Sequence, residues 1–182
     1  MLFVVASAAR GGARTGLDAV GGITTAMTLH VTAAALGLSA LFAASATAFN
    51  VLRIVGAVYL VWLGISALRG RSSAAATSAP RAEAFRRGFL TNVTNPKVIV
   101  FFAAFLPQFV VPGAGPVALQ LLELGAVFAA IGLVFDVSIA FAAGALGERV
   151  GGNVRATRVL DAVAGIVMIA LGIELVSQSR TA

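Results

Sequence analysis

Polar residues that interrupt apolar stretches mark the positions of this sequence that could do chemistry. The clearest set is Asn92, Asn95, Pro96 and Lys97, which lies inside an apolar stretch from Gly88 to Val111. Pro96 has no N–H and disfavours helical geometry at Asn95, so we expect a helix to break there. A half-helix restarting near Lys97 offers N–H groups and a cation, which suit a substrate carboxylate. A plain proline kink, with Lys97 extending toward water, is the alternative.

A carboxylate, Asp136, lies deep in the apolar stretch from Val117 to Leu146. At 100° per residue it shares one helix face with small residues, namely Gly125, Ala129, Gly132, Ala140 and Ala143. Small residues let helices approach closely, so this face is predicted to contact protein. A carboxylate in lipid is costly and is therefore a functional candidate, here for proton coupling. A structural carboxylate hydrogen-bonded between helices is the alternative.

The single histidine, His30, lies near the middle of the apolar stretch from Leu17 to Ala48. An imidazole changes its charge near neutral pH, which would suit a proton relay. A lone histidine in an apolar segment is more often a packing residue, and we favour that interpretation over proton coupling.

The composition identifies the class of protein that must position these residues. Of the 182 residues, 59% are hydrophobic and 11% are charged, whereas soluble domains average about 45–50% apolar and about 25% charged residues. One soluble core could not bury this much apolar surface, so we predict an integral membrane protein. The lack of cysteine excludes a disulfide scaffold, a thiolate metal site and a dithiol relay. One histidine and seven carboxylates leave little for a metal site, and no cofactor is expected.

Five apolar stretches reach or approach the length of about 20 residues that a membrane-spanning helix needs. They are 17–48, 51–68, 88–111, 117–146 and 159–176. A sixth stretch, Leu2 to Ala9, is too short to span. Basic residues follow it rather than precede it, which argues against a signal peptide and favours a partial helix.

The positions of the cations predict the orientation in the inner membrane. Ten of the thirteen Lys and Arg residues fall near Arg10, between Arg69 and Arg87, or between Arg149 and Arg158. These segments share one side if the spans alternate, and the other side has only Arg53 and Arg180. The bias places the central linker in the cytoplasm and the C-terminus outside. Cations set between apolar runs also argue against a nucleic-acid partner, since nucleic-acid modules cluster them on a solvent face.

Two of the apolar stretches indicate an internal repeat. The runs that begin at Val51 and Val159 share six identities in eighteen positions, including a Leu-Gly-Ile triplet. Coincidence in an apolar sequence is the alternative. Two halves of three spans each would insert with opposite orientation, which is a recurring transporter architecture.

We therefore predict an all-α membrane protein, a six-helix inverted-repeat (3+3) transporter bundle whose first helix is only partial. Residues 1–69 would form the first repeat, with partial helix 1 and helices 2 and 3. Residues 70–84 would be a cytoplasmic linker. Residues 85–182 would form the second repeat, with helices 4, 5 and 6.

The stretch from Phe85 to Phe109 resembles the central motif of the LysE/RhtB family of amino-acid exporters. It reads FRRGFLTNVTNPK and then, after three residues, FFAAFLPQF. Gly56 to Arg69 resembles the end of that family's first half, and Asp136 falls where the family has its fifth helix. The resemblance implies export of amino acids or related metabolites, driven by the proton gradient. Its implied partners are an amino-acid-like substrate, protons and the bilayer, and a homo-oligomer is compatible with it.

Members of that family begin with an apolar half-helix and a Pro-Gly-Pro turn, and this sequence opens just after that turn. Relative to the family pattern it is N-terminally truncated, and the turn would be the pseudo-symmetric partner of Asn95-Pro96. A non-transporting remnant or an interaction protein is therefore the alternative function. An enzyme is disfavoured because the sequence has no Ser/His/Asp set, no HExxH motif and no paired catalytic carboxylates.

Overall fold

The computed structural model describes residues 2–69, 80–111 and 113–146, together with the single positions 162, 166, 169, 170 and 173. All regular structure within these residues is helical, as predicted. The helices are α1 (Leu2–Ala44), α2 (Ala46–Leu68), α3 (Arg81–Val93), α4 (Pro96–Phe105) and α5 (Val117–Leu146). A short 3₁₀ helix, Leu106–Phe109, follows α4.

The helix α1 is interrupted at Gly12. Its φ of 77° and ψ of 171° are not helical and lie in a region that is essentially restricted to glycine. The segment before Gly12 contains Leu2 to Ala9, so the predicted partial helix is helical and ends at this break. Beyond the break, the buried hydroxyl of Thr15 donates a hydrogen bond to the Gly11 carbonyl over 2.7 Å.

The predicted break at Asn95-Pro96 is confirmed, because α3 ends at Val93 and α4 begins at Pro96. Asparagine is a favoured residue directly before a helix and proline is favoured at its first position, so the local sequence starts α4 at this point. The other end of α3 differs from the prediction. The helix begins at Arg81, inside the segment 70–84 assigned to the linker, while residues 70–79 lie outside the described part.

Two helices of the described residues are long and apolar enough to cross a membrane, namely Phe3–Leu41 within α1 and the whole of α5. The pair α3 and α4 gives a third if it counts as one broken span. The bounds of α5 are those predicted from the sequence. The predicted last helix, 159–176, lies almost entirely outside the described residues, and with it the repeat that it would complete.

The described residues divide into two compact units. The first contains α1 up to Leu29, α3 with Asn95, and α5 from Val127. Its core is built from apolar residues of these three helices, including Val4, Val20 and Ala140. The second contains α1 from His30, α2, α4 with the 3₁₀ helix, and α5 up to Ala126.

In the second unit, α2 packs against α4. Ala57 and Leu60 are fully buried, with Phe101 of α4 against them. Phe101 in turn stacks on Phe105, with ring centroids 4.6 Å apart. Apolar and aromatic side chains therefore hold these two helices together.

In the first unit, one face of α5 exposes large apolar side chains. They recur at helical spacing and include Val127, Ile131, Val134, Phe135 and Phe141. In a membrane protein such a face suits contact with lipid. The opposite face contains Ala140 and Ala143, which are almost completely buried.

Candidate functional site

The first unit holds α1 and α3 together at two glycines. A Cβ atom on Gly22 would overlap the backbone of Phe85 and Phe89, and one on Gly88 would lie 2.5 Å from the Ala19 carbonyl oxygen. The two backbones are therefore in direct contact at this crossing. Only glycine at both positions permits so close an approach.

One turn beyond the crossing, Asn92 links the same two helices. Its side chain is 7% exposed, and its Nδ2 donates a hydrogen bond of 2.9 Å to the carbonyl oxygen of Ile23. The sequence marked Asn92 as a substrate-binding candidate. In the structure, the side-chain amide of Asn92 contacts the backbone of α1, and this contact positions the end of α3.

The helix break follows directly after this contact. The N–H of Asn95 donates to the Asn92 carbonyl over 3.1 Å, and the N–H of Thr94 donates to the Leu90 carbonyl over the same distance. The Thr94 hydroxyl also donates to the Leu90 carbonyl, over 2.7 Å. These bonds close the last turn of α3, so the chain leaves the helix at Asn95 and restarts at Pro96.

The new helix begins with Pro96, which is exposed, and Lys97, which is half-buried. The first N–H groups of an α-helix have no partner within the helix, and its N-terminus has a partial positive charge. A cation in this first turn adds to that charge. The start of α4 is therefore electrostatically suited to a carboxylate.

A cavity of about 300 Å³ lies between α1 and α4 in the second unit. Part of its wall is a helical stripe of α1, comprising His30, Ala33, Ala34, Gly37, Leu38 and Leu41. The other part comes from Ile99, Phe102 and Ala103 of α4. The imidazole of His30 stacks on the ring of Phe102 with centroids 6.4 Å apart. His30, which the sequence favoured as a packing residue, thus packs on an aromatic ring and also lines this cavity.

Asp136 is half-buried within α5 in the first unit. The small residues of its face contact α1, since a Cβ on Gly16 would lie 3.0 Å from that of Ala140 and one on Gly144 would meet the backbone of Ala13. The face predicted to contact protein does so. The same unit contains an ion pair of 3.1 Å between Arg81 Nε and Asp18 Oδ2.

The profile of the family described as LysE type translocator matches residues 1–179. The chain belongs to this family. The homoserine/homoserine lactone efflux protein of Salmonella typhimurium is 32% identical over 156 residues, which cover 84% of this chain and 73% of the relative. The threonine efflux protein of Salmonella typhi is 30% identical over 169 residues, which cover 85% of this chain and 78% of the relative.

An uncharacterized membrane protein of Vibrio cholerae is 41% identical over 105 residues, which cover 56% of this chain and 51% of the relative. No solved structure shows a significant match. The resemblance to the LysE/RhtB family is confirmed, and the chain is a membrane protein from a family of transporters rather than enzymes.

Within this LysE type translocator, the structure brings some of the sequence candidates together. Asn92 and Asn95 share a backbone hydrogen bond, and Pro96 and Lys97 begin one helix. His30 and α4 line one cavity.

Sequence reasoning missed the Gly22–Gly88 crossing and the role of Gly37 in the cavity wall. A glycine inside a helical pattern can mark a close helix contact, and that signal was available at Gly22 and Gly88. Gly37 has no such contact.

Proposed function

We propose that the protein is a secondary transporter that exports amino acids or related metabolites across the inner membrane, coupled to the proton gradient. The observation that carries the proposal is the break at Asn95-Pro96 within an apolar segment of a LysE type translocator. In many transporters, broken helices of this kind supply the charges and backbone groups that bind substrate. The efflux proteins for homoserine and threonine among its relatives make these two amino acids the first substrates to test.

The substrate carboxylate is proposed to bind at the start of α4. The helix N-terminus and Lys97 both attract an anion there, and Asn95 and Pro96 create the break that exposes this helix end. Asn92 then serves the site through its hydrogen bond to Ile23, which fixes the helix that leads to the break.

Asp136 is proposed to couple transport to protons. It is a half-buried carboxylate in a helix long enough to span the membrane. A carboxylate in that environment costs much less when neutral, so its protonation can follow a change in access between the two sides. His30 is a weaker candidate for the same task, since its ring stacks on Phe102.

The proposed orientation follows from the cations, with the linker 70–84 in the cytoplasm and the C-terminus outside. Because the chain has no cysteine, Ser73→Cys would give a single labelling site. An impermeant thiol reagent should label it in inside-out vesicles and leave it unlabelled in intact cells. Labelling in intact cells would reverse the orientation.

Transport by proteoliposomes that contain the full chain tests the proposed function. Labelled threonine or homoserine should exchange with unlabelled substrate trapped inside, and a pH gradient should drive net transport that a protonophore abolishes. Asp136→Asn should abolish the gradient-driven transport, whereas Glu123→Gln, an exposed carboxylate of the same helix, should retain it. Exchange no faster than in protein-free liposomes for both amino acids would contradict the proposal. Equal gradient-driven rates for Asp136→Asn and Glu123→Gln would remove Asp136 from proton coupling.

A further inference from the structure

The cavity between α1 and α4 is small and has an almost entirely apolar wall. Its volume of about 300 Å³ is at the lower end of the range of roughly 300–1,000 Å³ found for ligand pockets. Among the described residues that line it, His30 alone has a side chain with nitrogen or oxygen atoms, and none is Asp, Glu, Lys or Arg. The wall can therefore solvate an apolar or hydroxyl-bearing group and offers no counter-charge to an ionised one.

The cavity lies close to the start of α4. Ile99, which lines it, is three residues beyond Pro96, and at a rise of 1.5 Å per residue this is about 5 Å along the helix axis. An amino acid has its carboxylate and its side chain on the same carbon atom, so the outer atoms of a side chain longer than one carbon can lie about that far from the carboxylate. One molecule could then contact the helix start with its carboxylate and enter the cavity with its side chain.

We propose that this cavity receives the side chain of the transported amino acid and restricts transport to uncharged side chains. The inference rests on the proposed export function and adds the substrate class. A lysine or glutamate side chain in this cavity would leave water without a counter-ion, which lowers affinity by roughly 100-fold or more.

Two substitutions narrow the cavity from within. A Cβ added to Gly37 meets no atom within 4 Å, so Gly37→Ala fills space without displacing a neighbour. Ala34→Leu, one turn earlier on the same stripe, fills more of it. Ala130→Leu makes the same change at an exposed position of α5 outside the cavity, and serves as the matched control.

The experiment measures exchange of labelled alanine, threonine, leucine and lysine by proteoliposomes of the full chain. The wild-type protein should exchange the first three and leave lysine at the background rate. Ala34→Leu should raise the ratio of the leucine KM to the alanine KM roughly ten-fold or more, by analogy with one-methylene discrimination in apolar pockets. Gly37→Ala should shift that ratio in the same direction by less, and Ala130→Leu should leave it unchanged.

Alanine exchange by each variant shows that the variant is folded. Wild-type exchange of lysine as fast as alanine would overturn the inference while leaving export intact. The inference would also be overturned if neither cavity variant changed the ratio of the leucine KM to the alanine KM. That result is expected if a lipid acyl chain occupies the cavity. Absence of exchange for all four amino acids would instead count against the proposed function itself.

Discussion

Each of the two compact units is held together internally by a different kind of contact. In the first, α1 and α3 meet backbone to backbone at Gly22 and Gly88, and Asn92 adds a hydrogen bond to Ile23. In the second, rings and aliphatic side chains pack α2 on α4, and a cavity of about 300 Å³ remains beside His30. The first unit thus has no room at its helix crossing, whereas the second has room for a small ligand.

This difference separates two uses of small residues in a helix. Gly22 is small because a neighbouring backbone occupies the space that a side chain would need. Gly37 lines the cavity, and no atom lies within 4 Å of the position that its Cβ would take. The same substitution should therefore affect stability in the first unit and substrate choice in the second.

The largest effect is expected for Gly22→Ala. The added methyl would overlap the Phe85 carbonyl oxygen, so α1 and α3 must move apart, at a cost of about 1–3 kcal/mol or more. Thermal unfolding in detergent should show a lowered Tm for this variant and an unchanged or slightly raised Tm for Gly37→Ala. Equal Tm values for the two variants would mean that the units do not differ in this way.

A smaller effect is expected for Asn92→Ala, which removes the side-chain hydrogen bond between α1 and α3. Such bonds between membrane helices contribute about 0.6 kcal/mol on average and up to about 1.7 kcal/mol. Thr94→Ala is the matched control, because the exposed Thr94 hydroxyl bonds only within its own helix. Denaturant titration should rank Asn92→Ala as the less stable of the two. The reverse order would contradict a positioning role for Asn92.

The smallest effect is expected for Asp18→Asn, which breaks the ion pair with Arg81. Both side chains are partly exposed, at 39% and 60%, and pairs in such positions contribute about 0.2–1 kcal/mol. The Tm difference from the wild type should shrink further as salt is added. A loss larger than that of Gly22→Ala would place the main contact of the first unit at the ion pair rather than at the glycines.

Local chemistry made part of this structure predictable. Pro96 imposes its break through its own missing N–H, and the small residues around Asp136 follow a helical period, so both features could be identified within one segment. The bounds of α5 agree with the apolar stretch Val117 to Leu146, in which Glu123 and Asp136 do not end the helix.

Other features depend on residues far apart in the sequence. The Gly22–Gly88 crossing and the cavity each need two helices to be positioned against each other, which no local pattern specifies. The contact of Asn92 with the Ile23 carbonyl joins residues 69 positions apart, and substrate binding by Asn92 stays a prediction. The start of α3 at Arg81 was missed because a polar Arg-Ala-Glu segment after a proline fits a linker as well as a first helical turn.

If the start of α4 binds the substrate carboxylate, the charge of Lys97 should contribute directly to substrate affinity. Inhibition of labelled threonine exchange should be compared for unlabelled threonine and for threonine amide, which lacks the carboxylate, in the wild type, Lys97→Gln and Lys97→Arg. Lys97→Gln removes an attractive charge whose contribution to binding is on the order of 1–3 kcal/mol. The variant should therefore bind threonine roughly ten-fold or more weakly than the wild type. Binding of the amide should not change, and Lys97→Arg should retain most of the threonine affinity. A Lys97→Gln variant that binds threonine as tightly as the wild type would mean that the substrate carboxylate does not bind beside Lys97.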